Sequence, residues 1–150
     1  MKIDIEGADA LCLEDLDVNN LPKFVSVEAE CDVNEAELSK EQYLSNLNHL
    51  HLLGYNCFKL VSQHSLVPVS RSNLDHVLDP GYRRRMREQI ERESNWRFAE
   101  GSSGPWGNEI PGPWMNYSEA AEVYSTCREI LSRQGTATFW YWFDWHATTI

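Results

Sequence analysis

The chain has 150 residues, 42% of them hydrophobic and 11% aromatic, with a formal net charge of −10. That is the length of one domain, apolar enough to bury a core and too aromatic for a disordered chain. The negative balance excludes nucleic acid as an electrostatic partner. No run approaches the ~18 apolar residues of a membrane span, and no signal peptide opens the sequence, so the expected location is cytoplasmic. Charge is unevenly spread: residues 1–45 hold twelve acids against three lysines, and six of the nine arginines lie between Arg83 and Arg97. Arg83, Arg84, Arg85 and Arg87 read as a solvated helix face, or as a positive region that receives an anionic substrate.

Lys2 to Glu6 alternates Ile3 and Ile5 with acids, the pattern of a short strand. Gly7 ends it, and Ala8 to Leu16 reads as a short helix or turn. Phe24 to Val27 is a second strand, running into Glu28-Ala29-Glu30. A helix follows from about Glu35 to Leu53, with Leu38, Tyr43, Leu44, Leu47, Leu50 and Leu53 at helical spacing. Gly54 stands where a left-handed cap is needed. Asn56 to Val61 is a third strand.

Ser65 to Asp79 reads as loop. Asp79-Pro80 is an N-cap with proline in the first turn, opening a helix to about Ser94. Glu100 to Asn116 holds four glycines, three prolines and two tryptophans, the composition of a loop. Trp106 and Trp114 suit anchoring on the domain, or stacking on a sugar or cofactor ring. Asn116 and Glu119 form a capping box for a helix to about Gln134. Thr136 to Ala147 is a final aromatic strand buried on both faces.

Alternation of strands and helices predicts an α/β fold: a mainly parallel sheet of about four strands, helices on both faces, and an inserted helical, loop-rich segment. Residues 1–64 form the alternating core, 65–117 the insertion, and 118–150 the last helix and strand of one partial domain. Chemistry is then expected beyond the C-terminal ends of the strands. The cysteines, Cys12, Cys31, Cys57 and Cys127, lack metal-ligand spacing and read as buried or half-buried thiols. The histidines show no ligand spacing either, so no metal site is expected.

Three stretches carry a family resemblance: Lys2-Ile3-Asp4-Ile5-Glu6-Gly7-Ala8-Asp9, Pro22-Lys23-Phe24-Val25-Ser26-Val27-Glu28, and Gly54-Tyr55-Asn56-Cys57-Phe58-Lys59-Leu60-Val61. In order and spacing they resemble the second half of the FkbM-type methyltransferases. Ser102 to Gly107 and the Trp-rich final strand resemble one branch of that group. The resemblance implies a Rossmann-like fold with S-adenosylmethionine as cofactor and transfer of a methyl group to a hydroxyl of a sugar or small metabolite. This chain would supply the fourth to seventh strands. The glycine-rich strand-to-helix loop that binds the cofactor does not occur in this sequence. The chain is therefore expected to be incomplete as an enzyme alone. It would be a fragment of a longer product, pair with a separate N-terminal half, or self-associate along the edge of its first strand. The alternative is a non-catalytic remnant or partner-binding module that associates through that edge.

Asp4 and Glu6 are the candidate catalytic pair, as cofactor-orienting carboxylates or a general base toward a hydroxyl; otherwise they are a solvated strand face. Asp4 and Gly7 are the cofactor-binding candidates. Glu28, Glu30 and His146 are the substrate-binding candidates, against acidic surface for the two glutamates and a packed residue for His146. Asp9 is expected to cap the short helix.

Overall fold

The computed structural model describes residues 1–5, 8–29, 38–77, 79–99, 102, 104–133 and 142–149. In chain order its elements are β1 (Lys2–Ile3), α1 (Asp9–Glu14), β2 (Phe24–Glu28), α2 (Lys40–Tyr43), α3 (Ser45–Leu52), β3 (Cys57–Ser62), β4 (Pro68–Val69), α4 (Leu74–Val77), α5 (Pro80–Ser94), α6 (Tyr117–Arg133) and β5 (Phe143–Thr148). The strands form one sheet in the order β1-β2-β5-β3-β4.

The fold is mixed α/β, but the sheet is not mainly parallel. Among the described strands, only β1 and β2 pair parallel. The last strand runs antiparallel between β2 and β3, and β4 adds an antiparallel edge. The reason is topological. The crossover from β2 through α3 to β3 leaves a gap one strand wide, and β5 fills it after α6 has returned the chain to the far end. An apolar run reads the same in either direction, so sequence alone does not fix its sense.

Register builds one continuous core row: Ile3, Val27, Trp145, Leu60 and Val69 lie side by side across all five strands. Each is no more than 4% exposed. Because strand side chains alternate between faces, Val25, Phe58, Phe143 and Ala147 share this side, and Leu13 of α1, Leu47 and Leu50 of α3, and Tyr124 and Cys127 of α6 close over it. Burial pushes the Cys127 thiol up to about 12, which makes it unreactive at neutral pH.

Local signals set the helix ends. Asp79 accepts from the Tyr82 amide with Pro80 in the first turn. Asn116 and Glu119 exchange side-chain to backbone bonds, both 3.0 Å. Gly54 (φ 108) follows α3. The helix expected from Glu35 to Leu53 is two helices in the described residues. A capping box of Ser39 and Gln42 starts α2, and Leu44 separates it from α3. Asp9 is the first residue of α1 rather than its cap; its carboxylate accepts from the Ile5 amide at 3.0 Å, tying the strand exit to the helix.

The second face departs from the expectation of helices on both sides. The loop from Gly104 to Trp114 lies across its centre: Gly107 packs on the Phe24 ring, Trp114 stacks on Phe24, and Trp106 sets its ring against His146. Segment 65–79, expected as loop, contains β4 and α4. Beside them, α5 contributes Met86 and Ile90 to a small second cluster with Leu66, Val67 and Phe98. Arg87 is not part of a solvated face. Its guanidinium donates to the carbonyls of Gln63, Phe98 and Ala99. No helix among the described residues is long and apolar enough to cross a membrane.

Candidate functional site

Two groups of polar side chains stand out, both on the loop-covered face. The first gathers where β1, β2 and β3 end and β5 begins. Asp4 follows β1, Glu28 closes β2, Gln63 follows β3, and Asp144 sits opposite Glu28 in register. The Lys2 ammonium lies 3.1 Å from Asp4 and 3.9 Å from Asp144, and the Gln63 amide donates to Asp144 at 2.9 Å. Asp144 is 1% exposed. A carboxylate that deep needs such partners to remain charged. Asp4, about half exposed, is the part of the group that solvent and ligands reach.

The sequence candidates divide accordingly. Asp4 and Glu28 lie at neighbouring strand ends, where the parallel β1–β2 pair delivers them. Glu6, Gly7 and Glu30 lie outside the described residues. His146 is not at a strand end. It stands inside β5, between Ser26 on β2 and Lys59 on β3, and is 2% exposed. With Trp106 against its ring, it is a packed residue out of reach of a substrate in this conformation. The reason is register: β5 continues to Thr148, so His146 falls in the interior of the ladder.

The second group is that interior row, Ser26, His146 and Lys59. The Lys59 ammonium donates to the carbonyls of Ile110 at 2.6 Å and Pro111 at 3.3 Å and lies 4.6 Å from the centre of the Trp114 ring. Burial pulls its pKa down to about 8. Burial also holds His146 neutral, with its pKa lowered to about 3, helped by the positive charges of Lys2, Lys59 and the N-terminus. Neither Ser26 Oγ nor His146 Nε2, both fully shielded from solvent, has a hydrogen-bond partner among the described residues.

Sequence reasoning missed Lys59 and Asp144. The available signal was a charged residue at an inward position of each strand: Lys59 within Cys-Phe-Lys-Leu-Val-Ser, and Asp144 within Phe-Asp-Trp-His. Strands buried on both faces admit such residues only with partners.

Nucleotide-type cofactors ask for a backbone cradle beside a strand end. Asp4 is paired with Lys2, and the sequence has no glycine-rich strand-to-helix loop. Gly7, the other cofactor-binding candidate, lies outside the described residues. No protein-family model, no curated protein and no solved structure matches this chain.

Proposed function

We propose that this chain is the acceptor-side half of a methyltransferase-like domain of the FkbM type. The cofactor-binding strand and loop would come from a further segment that pairs along β1. One observation carries the reading. β1 is an edge strand, parallel to its neighbour β2, and both end in carboxylates at the same end of the sheet. A parallel strand added at that edge would bring its own C-terminal end, where α/β sheets bind ligands, beside Asp4. Ile5, 53% exposed just past β1, is apolar surface that such an addition would cover. Asp4 and Glu28 would position the acceptor hydroxyl, and most of the rate would come from that placement.

The test begins with the gene. Upstream sequencing and an intact mass of the native product identify any segment before Met1 or any chain that co-purifies. The assembled protein is then titrated with S-adenosylhomocysteine by calorimetry. A strand and glycine-rich loop in that segment, with saturable micromolar binding weakened about tenfold or more by Asp4→Asn, is the expected result. Flat heats from a folded, complete assembly overturn the reading. Flat heats together with a stoichiometric bound chain support the second reading, a non-catalytic module that associates through β1.

A further inference from the structure

The loop-covered face holds two buried polar groups that the strand-end site does not use. Ser26 Oγ and His146 Nε2 sit on neighbouring strands in direct register. Ser26 is 0% and His146 2% exposed, and neither atom has a hydrogen-bond partner among the described residues. A buried polar group left unpaired is costly, so two on adjacent strands favour a guest that pairs with both. The chemistry of that guest follows from theirs. A serine hydroxyl both donates and accepts, and a neutral imidazole offers one donor and one acceptor. The complement is an uncharged group that also does both, such as an alcohol hydroxyl. An anion is disfavoured because burying a charge needs a dedicated counter-ion, and both ammonium groups beside the pair are engaged: Lys59 donates to two carbonyls, and Lys2, in register with Ser26, is paired with Asp4 and Asp144.

The cover over these groups is built to move. From Pro105 to Trp114, the hydrogen bonds that tie the loop to the sheet among the described residues are those from Lys59 to Ile110 and Pro111. Ile110 is buried but belongs to neither hydrophobic cluster. Three glycines in the left-handed region, Gly104, Gly107 and Gly112, punctuate the loop. At Gly112 a side chain would meet no neighbour, so glycine serves the backbone there rather than the packing. The loop's other holds are ring contacts, Trp106 on His146 and Trp114 on Phe24, and the backbone pair of Met115 with Phe58 just past its end; with so few hydrogen bonds to the sheet along its length, it opens before the core does.

We propose that Gly104–Trp114 is a lid, latched by Lys59, over a binding site for a small neutral hydroxyl compound, with Ser26 and His146 as the groups that receive the hydroxyl. The site shares no residue with Asp4 and Glu28, so it stands or falls apart from the methyl-transfer reading.

Glycerol is the probe, with acetate as its charged counterpart, each titrated into 15N-labelled full-length chain. The readouts are the His146 ring nitrogens and the Ser26 amide. Glycerol is expected to move both, saturably in the millimolar range, while acetate leaves them in place. Ser26→Ala and His146→Gln each abolish the response at the remaining partner. Lys59→Met, which releases the latch and leaves both receiving groups, binds glycerol several-fold tighter, because the open fraction rises. Unmoved His146 resonances in the wild-type chain overturn the site without reference to any variant. A response to acetate in place of glycerol overturns the ligand class. Equal or weaker binding by folded Lys59→Met overturns the lid.

Discussion

On the helix-covered side of the sheet, Val25, Val27, Leu60 and Trp145 meet Leu47, Leu50 and Tyr124. On the loop-covered side, the same three central strands present Ser26, Lys59, Asp144 and His146. Both sides are buried, yet by different means. The first is held by apolar area, which is non-directional and cumulative. The second is held by a few directional contacts: one lysine on two carbonyls, one amide on a carboxylate, and tryptophan rings laid over charged or polar neighbours. The first side supplies stability at any pH. The second ties stability to protonation, and it is the side to which the strand ends and the candidate sites belong.

That contrast can be broken by mutation, and the largest effect belongs to the apolar side. Trp145→Ala, which removes the central member of the five-strand row and its contact with Tyr124, is expected to cost about 3–5 kcal/mol in urea unfolding, equally at pH 5 and pH 9. A strong pH dependence of that loss would contradict the division between faces.

The next effects belong to the polar side. His146 stays neutral in the folded chain down to about 3, against 6.5 when unfolded. Between these values the unfolded chain holds the extra proton, so stability is complete above pH 6.5 and falls as the pH falls toward 3. His146→Gln should remove that part of the acid loss, on the order of 4 kcal/mol, seen as a flatter plot of unfolding free energy against pH. Lys59 acts at the alkaline end. Its folded value of about 8 lies below the ordinary 10.5, so stability rises as pH climbs from 8 to 10.5, where the unfolded chain alone keeps the proton. The rise, about 3 kcal/mol, should be missing in Lys59→Met. The smallest effect is the control. Arg71 and Glu122 pair at the surface, each more than half exposed. Arg71→Ala is expected to change stability by at most ~0.5 kcal/mol, with high salt erasing even that.

Much of the architecture could be read from local chemistry. The capping signals at Asp79, Asn116 and Gly54 and the apolar spacing of Leu47 and Leu50 act within a few residues, and they marked where helices start and stop. Strand partners were a different matter. β4 is two residues long and has no pattern of its own; it exists because Val69 lies beside Leu60. The antiparallel insertion of β5 depends on which gap remains after β2 and β3 are in place. The strand-end positions of Asp4 and Glu28 could be read because strand ends follow from strand boundaries. The Ser26–His146–Lys59 row could not, because it joins residues on three strands through a register that no single stretch encodes. For the same reason, the sequence pattern sets His146 nearer the end of its strand than the register does.

The position of β5 also bears on how the chain is made. The strand at the centre of the sheet is synthesised after both of its neighbours, and the Thr148 hydroxyl closes on the Lys23 carbonyl across 125 residues. On the ribosome, β2 and β3 wait with their facing edges unpaired. Every nascent chain that stops short of Phe143 is thus a pair of open strand edges, and those edges are sites for a chaperone or for a second unfinished copy.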